Sequence, residues 1–355
     1  MKNLVLSDQT YLYDFSYKKR VDLVGDLKFG SNNYKILVFG FKNKTKENNC
    51  EMNRIIDFSI ASNFIPKPIL FLFSVLRVSF YLIRFKGNLL VENLLSGFPL
   101  LFCNTNYTID LHGDVVDELR ILKGIGPLTI ALLYRIEHIL LRNSTEISVA
   151  SNNYKKALEY RLGNEKNKLS VISNANHKKT ISPTEYCDDF FEEFIFQNVG
   201  IIYSGSSLKW QNPESMLTFF DKIYTISKKY RLVILSKEKL DFEFLVNEKF
   251  SHLKDYIYIS SVSHLNVDYY YQRCKFGLIF RDFSRTNFVS CPTKLMEYAI
   301  SELSILYTGY IGDFEDLNKD NPSLISCNSF EISVSELLLK MEANLNVVGK
   351  GFIYN

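Results

Sequence analysis

Short apolar runs alternate with longer amphipathic segments along most of the chain. The runs are almost continuously apolar at Lys35–Phe41, Val199–Tyr203 and Gly277–Phe280, as expected of parallel strands buried on both faces. Segments of helical periodicity lie between such runs, and the clearest is Gly124–Arg142, which has a Gly/Pro entry. This alternation predicts an α/β protein with parallel sheets and helices packed on their faces.

The same pattern places the other elements and one domain boundary. A first strand is expected near the N-terminus, and further strands are predicted at Asn88–Glu92, Tyr107–Leu111, Ile147–Ala150, Leu169–Ile172, Arg231–Ser236, Tyr256–Ile259 and Ile305–Thr308. Further helices are predicted from about Glu51 and at Asn153–Leu162, Lys239–Glu248, Asp268–Arg273 and Glu331–Ala343. The acidic, aromatic connector Ser182–Gln197 predicts an N-terminal domain of residues 1–190 and a C-terminal domain of residues 191–355.

Composition and charge narrow the class of protein. The 355 residues are enough for two domains with full cores. The net charge of +3 is too small to indicate binding to nucleic acid. The six cysteines form no Cys-x-x-Cys pair, which predicts free thiols in a reducing compartment and no zinc site. Because the first residues lack the apolar run of a signal peptide, we expect a cytoplasmic protein.

One segment is apolar enough to raise the question of a membrane. Ile65–Phe85 reads IPKPILFLFSVLRVSFYLIRF, and Lys67, Arg77 and Arg84 interrupt it. Each of these charges would be costly at the centre of a bilayer. The segment therefore predicts an amphipathic or buried helix. Its mixture of aromatic and basic residues also suits peripheral contact with the inner face of a membrane.

The stretch from Ser290 to Glu297 has the pattern of an anion-binding helix start. Ser290 can cap the helix, and Pro292 suits its first turn because a missing N–H has no cost there. The backbone N–H groups and the helix dipole attract anions at this end, and Lys294 adds a full positive charge. Glu297 shares a face with Lys294 and can accept two hydrogen bonds from a sugar diol. Phosphate at the helix start and ribose one turn deeper predict a bound nucleotide diphosphate.

A second phosphate-binding pattern follows the strand Val199–Tyr203. Gly205 lies in the polar loop after this strand, where it would let the backbone approach a diphosphate. Asn212 can cap the next helix, with Pro213 in its first position. Lys209 in the same loop could neutralise the charge of a phosphate. Alternatively, it is an ordinary exposed lysine without a role in binding.

The motif PTKLMEY, followed by an apolar strand and IGDF, resembles the donor-binding region of GT-B glycosyltransferases, in particular glycosyltransferase family 4 and its relatives. The resemblance implies two Rossmann-like domains facing a central cleft. It also implies transfer of a sugar from a UDP- or GDP-sugar with retention of configuration. The sequence departs from the family at Val289, where the first glutamate of Glu-x7-Glu is usual and Glu297 is the second, and at Glu302, where the family has the glycine of Gly-x-Pro.

The resemblance also implies roles for residues of the first half. His112, in the string DLHGD, would contact the transferred sugar. Alternatively, it has only a structural role and caps the turn at the end of the strand. The loop Lys42–Asn49 would face the cleft, unless it is an ordinary solvated loop. Glu137 is expected on a solvated helix face, and His177 is expected to be structural or exposed to solvent.

In the second half, the resemblance assigns residues around the donor. Val262 would contact the base, and Thr293 belongs to the PTK motif. Arg281 and Asn287 would lie where sugar and diphosphate meet, and Arg281 could hold a phosphate with two hydrogen bonds. Asp282 is the carboxylate nearest to the position of the missing glutamate.

Together these features predict a cytoplasmic glycosyltransferase that moves a sugar to a glycan or lipid-linked acceptor in surface polysaccharide synthesis. Positive charge from Lys209, Lys294 and Arg281 would drive departure of the diphosphate, so no metal or other cofactor is expected. Two alternatives remain open: a sugar-nucleotide epimerase of GT-B architecture, and a subunit that binds the nucleotide sugar without catalysis. Val289 and Glu302 favour the second alternative.

Overall fold

A computed structural model describes residues 2–8, 15–31, 33–40, 55–60, 66–163, 168–173, 186–328, 333–345 and 351–352. The chain divides into two compact units, Met1–Asn174 and Ala175–Asn355. This division lies earlier in the chain than the boundary expected near residue 190. The helix Asp189–Ile195 packs within the second unit, where the rings of Phe191 and Tyr270 have centroids 4.6 Å apart.

The described residues of the first unit form a parallel sheet in the order β3-β2-β1-β4-β5-β6-β7. Its strands are β1 Asn3–Asp8, β2 Lys35–Phe39, β3 Ile55–Asp57, β4 Asn88–Glu92, β5 Thr108–Leu111, β6 Glu146–Val149 and β7 Leu169–Val171. Its helices are α1 Phe15–Phe29, α2 Lys67–Arg84, α3 Asn93–Ser96, α4 Val115–Lys123, α5 Pro127–Asn143 and α6 Asn152–Leu162.

The helix predicted from about Glu51 is wrong where the structure describes this region. Ile55–Asp57 form β3, which pairs with β2 in parallel. The short run was ambiguous, since three apolar or acidic residues fit either a strand or a helix turn. The loop Lys42–Asn49 and His177 lie outside the described residues.

The second unit has a parallel sheet in the order β10-β9-β8-β11-β12-β13 over its described residues. Its strands are β8 Val199–Ser204, β9 Tyr230–Leu235, β10 Ile257–Ser260, β11 Cys274–Phe280, β12 Ser304–Thr308 and β13 Leu324–Ser326. Its helices are α7 Asp189–Ile195, α8 Pro213–Ile226, α9 Lys239–Lys249, α10 Val267–Tyr271, α11 Arg285–Val289, α12 Thr293–Ile300, α13 Asp313–Asn318 and α14 Val334–Asn344.

The apolar runs form strands because both of their faces are covered. In β11, Leu278 packs into one hydrophobic core of the second unit, and Ile279 packs into the core on the opposite face. Successive side chains of a strand point to opposite faces, so an uninterrupted apolar run suits a sheet with helices on both sides.

The helix predicted within Ile65–Phe85 is confirmed as α2. It buries Leu70, Val75, Val78 and Leu82. In the described ranges, no helix combines the length and the apolar character needed to cross a membrane.

The end of α12 shows how the chain accommodates Glu302 in place of a glycine. The Leu303 N–H donates to the Tyr298 carbonyl at 3.0 Å, and the Glu302 N–H donates to the Ala299 carbonyl at 3.1 Å. These two bonds form a Schellman motif, which needs a left-handed residue after the helix. Glu302 supplies it with a φ of 58°. A side chain with a Cβ is strained in this conformation.

We expect Glu302→Gly to raise the free energy of unfolding by about 0.5–1 kcal/mol, because glycine adopts a positive φ without the Cβ clash. Denaturant unfolding monitored by circular dichroism measures the change. Glu302→Ala is the matched control, since it removes the exposed carboxylate and keeps the Cβ. Equal stabilities of the glycine and alanine variants would contradict the strain.

Candidate functional site

The carboxyl ends of β8 and β11 lie side by side in the second unit, at the point where the strand order reverses. The two strands pair in parallel, so the loops that follow them leave from the same edge of the sheet. Open α/β sheets bind ligands at such switch points. Gly205 follows β8, Arg281 follows β11, and α12 begins shortly after, so the sequence patterns around them converge on one place.

The ammonium group of Lys294 is the most unusual feature of this edge. Its Nζ is fully buried and has no hydrogen-bond partner among the described residues. It lies 4.8 Å from the centroid of the Tyr203 ring, a cation–π distance. A Cβ built on Gly205 would be 1.8 Å from Nζ. The absence of a Cβ at Gly205 therefore makes room for the lysine.

Burial, followed by the positive charge of Arg281, lowers the pKa of Lys294 to about 7, although Glu297 and Glu238 oppose the shift. Water cannot stabilise the charged form at this position. An anion bound beside Nζ would favour the charged form again. Lys294 is thus arranged to gain its full charge when an anion arrives.

Glu297 lies one turn further along α12 and is held in place by two partners. Tyr271 donates its hydroxyl hydrogen to Oε2 at 3.1 Å, and Nε2 of His264 lies 3.5 Å from Oε1. Tyr271 also hydrogen-bonds the Ser204 hydroxyl at the end of β8. Only 14% of the Glu297 side chain is exposed. These two partners therefore fix the orientation of the carboxylate.

Arg281 and Asn287 brace the loop after β11. Nη1 of Arg281 donates to Oδ1 of Asn287 at 2.9 Å and to Oγ of Ser290 at 3.1 Å. Asn287 is fully buried, and its Nδ2 donates to the carbonyls of Asp282 at 3.0 Å and Trp210 at 3.4 Å. Asn287 is thus committed to the loop, whereas Arg281 adds a buried positive charge beside Lys294.

Two capping predictions are wrong. Ser290 ends α11, and its hydroxyl is already used by Arg281 and by the Asn287 carbonyl. Pro292 is the N-cap of α12, and no side chain caps this helix. Asn212 occupies the N-cap position of α8 in a left-handed conformation with a φ of 50°, and its side chain makes no capping hydrogen bond. Its Nδ2 donates to Asp282 at 2.9 Å. The start of α12 therefore keeps its N–H groups free of a side-chain cap, as an anion site requires.

The remaining predicted residues lie around this centre. Lys209 is exposed in the helical turn Lys209–Gln211. Asp282 is exposed as a residue. Partial burial of its carboxyl group raises its pKa, and the charge of Lys209 opposes this shift. Val262 is half-buried against the hydrophobic core, and Thr293 is half-buried at the first residue of α12.

Sequence reasoning missed two residues of this site. His264 was not singled out, although it follows a strand end in the loop that was expected to edge the base pocket. Its position after β10 was the available signal, since ligands gather at strand carboxyl ends. Tyr271 carried no signal, because it reads as one more apolar position in a helix rich in tyrosine.

The first unit carries its own polar cluster, where β4 and β5 end. Glu92 and Asp110 are adjacent in the parallel register and are fully buried. Asp110 accepts from Nη2 of Arg20 at 2.6 Å and from Nε at 2.9 Å, and also from the Ser148 hydroxyl at 2.7 Å. His112 lies at this edge as predicted, with Nδ1 3.6 Å from Oε2 of Glu92.

A cation is a poor occupant of this cluster. One ligand atom from each of Glu92, Asp110 and His112 lies within 4.8 Å of the others. Arg20, however, already satisfies both oxygens of Asp110 and brings its own positive charge. The arrangement is an ion pair beside a second acid.

Glu137 is not on a solvated helix face, so that expectation is wrong. Its residue is 1% exposed, and Oε2 lies 2.6 Å from Nη2 of Arg161 on α6. The Arg161 guanidinium also lies 4.9 Å from the centroid of the Tyr134 ring. Helix α5 turns this glutamate inward because α6 supplies a partner, which sequence spacing within one helix does not reveal.

Comparisons with known proteins were made with the sequence and with the structure. No family model and no curated protein matches the sequence. Solved structures match over nearly the whole chain. HepE of Anabaena, in complex with UDP and glucose, is 11% identical with a TM-score of 0.69, and the match covers 99% of this chain and 91% of HepE.

Two further structures give similar matches. Sucrose-phosphate synthase of Thermosynechococcus elongatus is 11% identical with a TM-score of 0.63, covering 97% of this chain and 89% of that protein. A glycosyltransferase of Rickettsia africae is 13% identical with a TM-score of 0.63, covering 99% and 91%. At these identities the likeness shows the fold. The predicted GT-B fold of two Rossmann-like domains is confirmed.

Proposed function

We propose that this protein is a glycosyltransferase whose donor is a nucleotide-diphosphate sugar. The observation that carries the proposal is the buried ammonium of Lys294 without a hydrogen-bond partner, at the uncapped start of α12 and one turn before Glu297. A fold leaves a buried charge unpaired at a cost, and such groups cluster at functional sites. The UDP in the matched HepE structure and the PTKLMEY resemblance support the same class of donor.

The described residues suggest how the second unit would act on this donor. The diphosphate takes the place beside Nζ of Lys294 and the N–H groups of α12, and it restores the positive charge of the lysine. Glu297 accepts hydrogen bonds from the ribose hydroxyls. Positive charge from Lys294, Arg281 and the exposed Lys209 stabilises the negative charge that develops on the departing diphosphate. In this proposal, these cations replace a metal ion.

The finer parts of the proposal rest on the family resemblance. They are retention of configuration, contact of His112 with the transferred sugar, and a glycan or lipid-linked acceptor used in surface polysaccharide synthesis. Asp282 is an exposed carboxylate in the loop after β11, and the side-chain amide of Asn212 donates a hydrogen bond to it.

A subunit that binds the donor without turnover is the second candidate, and one observation favours it. Val289 is completely buried, so the position of the family's first glutamate cannot contact a ligand. The two functions differ in a simple assay. A transferase hydrolyses its donor slowly without acceptor, a binding subunit leaves it intact, and an epimerase returns a changed sugar still attached to nucleotide.

The proposed apolar face for membrane contact lies on α2. Five large side chains of this helix are more than two-fifths exposed: Ile69, Leu72, Phe73, Phe80 and Ile83. Their spacing puts them on the face opposite the buried one, and Lys67, Arg77 and Arg84 flank them. An apolar face with basic residues at its edges fits an anionic membrane surface. We propose that the protein binds there peripherally and so meets a lipid-linked acceptor.

The donor class is tested by thermal unfolding with UDP, GDP, ADP, CMP and their common sugar conjugates. One diphosphate should stabilise the wild type by about 2.7 kcal/mol at a concentration of about 100 Kd. Glu297→Ala should lose this stabilisation because the ribose contact is gone. Glu248→Ala, an exposed glutamate on α9, should keep it. Failure of every nucleotide to stabilise the wild type would overturn the proposal.

Lys294→Met should raise the ligand-free free energy of unfolding at pH 7 by about 1–3 kcal/mol, since it removes an unpaired buried charge. The folded-state pKa near 7 is below the ordinary lysine value, so unfolded protein binds more protons between about pH 7 and 10. Wild-type stability therefore rises with pH across this window relative to Lys294→Met. The variant should also lose stabilisation by the nucleotide.

Denaturant unfolding at pH 7 and pH 9 measures the gain in stability of the variant and the pH dependence of wild-type stability. Lys209→Met is the control, because that lysine is exposed and its removal should leave ligand-free stability unchanged. A Lys294→Met protein that is less stable than the wild type at pH 7 would show that the lysine stabilises the fold. This result would contradict the role of Lys294 as an anion-binding group.

Membrane contact is tested by co-sedimentation with vesicles that contain anionic lipid. Phe73→Asp combined with Phe80→Asp should weaken binding at least about tenfold, because each buried aromatic side chain contributes about 1.5–3 kcal/mol. Phe244→Asp changes an equally exposed phenylalanine of the second unit and should have no effect. Equal sedimentation of the double variant and the wild type would contradict a role for α2.

A further inference from the structure

Glu92 of the first unit is a buried acid that the proposed function does not use. It is the last residue of β4 and is completely buried. Both of its carboxyl oxygens lack a hydrogen-bond partner among the described residues. The polar group aimed at it is His112, whose Nδ1 lies 3.6 Å from Oε2. This separation is slightly too long for a hydrogen bond, and such contacts in ligand-free sites often shorten in complexes.

The groups around Glu92 oppose a negative charge on it. Asp110 on β5, Asp8 on β1 and Asp22 on α1 are acids, and Arg20 on α1 is the facing cation. Arg20 is already committed to both oxygens of Asp110. Burial, followed by repulsion from Asp110, raises the pKa of Glu92 well above its usual range, although Arg20 opposes the shift. Glu92 is buried beside the carboxyl of Asp110 without a hydrogen-bond partner among the described residues, and this environment favours its neutral form.

We propose that Glu92 is a positioning residue. Its protonated carboxyl group donates a hydrogen bond to Nδ1 of His112 and so holds the imidazole in the tautomer with hydrogen on Nε2. An acid that donates to Nδ1 requires that nitrogen to be an acceptor, so the ring hydrogen must be on the other nitrogen. Glu92 is too deeply buried to reach a ligand itself, whereas a fifth of the His112 side chain is exposed.

The consequence is a definite chemical role for His112. In this tautomer Nε2 is a hydrogen-bond donor, a role suited to an oxygen of a sugar hydroxyl or a phosphate, and it is not a base that removes a proton. The tautomer follows from the first unit alone. Its use on a sugar rests on the proposed function.

The tautomer is measured by ¹⁵N NMR of histidine-labelled protein. The chain has five histidines, and His112→Gln identifies the signal of interest. We expect the neutral ring with hydrogen on Nε2 at pH 7 in the wild type. Glu92→Gln should keep this tautomer because an amide can also donate to Nδ1. Glu92→Leu should give a mixture of tautomers, and Glu159→Gln on α6 should leave the signal unchanged.

An imidazolium, or hydrogen on Nδ1, in the wild type at pH 7 would overturn the proposal, because it would mean that Glu92 is ionised. The same holds if Glu92→Gln alters the tautomer while its circular dichroism stays native. If Glu92→Leu does not fold, the wild type and the glutamine variant still decide the question.

Donor hydrolysis supplies the second readout. Glu92→Gln should retain kcat within about twofold, and Glu92→Leu should lose about tenfold in kcat with little change in KM, the size of one well-placed hydrogen bond. A large loss of kcat in Glu92→Gln would contradict a neutral donor. If no nucleotide sugar is bound or hydrolysed, the proposed function fails, while the NMR result still decides the tautomer.

Discussion

The ammonium group of Lys294 is a buried charge at the carboxyl edge of the second sheet, packed against the loop that follows β8. It fills the space that Gly205 leaves without a Cβ. The loops after β11 and β12 are also closely packed, since a Cβ on Gly309 would be 2.1 Å from the Arg281 carbonyl oxygen and one on Gly312 would be 2.3 Å from that of Ser290. Both glycines also have positive φ. The ammonium group of Lys294 is enclosed here without a hydrogen-bond partner among the described residues. Such burial lowers the stability of the fold, and it is typical of sites that bind an anion.

The two units use the same physics with opposite signs. In the second unit, burial and a neighbouring arginine lower the pKa of Lys294 to about 7. In the first unit, burial and neighbouring acids raise the pKa of Glu92. Each group sits at a strand carboxyl edge, where parallel strands deliver polar side chains into a partly closed space. In each case, burial favours the neutral form of the group.

Much of the fold was predictable because parallel strands have a strong local signature. All the predicted strands with long apolar runs are present, and PTKLMEY does begin a helix beside a switch point. The errors arose where a side chain chose a distant partner over a local one. Ser290 serves Arg281 instead of α12, and Glu137 turns inward to Arg161. β3 was missed because a three-residue strand is defined by its neighbour β2 and not by its own pattern.

The resemblance of PTKLMEY to a known family indicated the GT-B fold. The sequence by itself determined most of the order of strands and helices, and the presence of Lys294 and Glu297 on one helix face. These properties depend on periods of two and 3.6 residues and on spacing within a short motif, so they are written locally. Only the tertiary structure decided which charged side chains are buried and which residues lie next to them. The pairing of Glu297 with His264, the space for Lys294 at Gly205 and the isolation of Glu92 beside His112 all join residues far apart in the chain, and desolvation acts on a group only after those neighbours have packed around it.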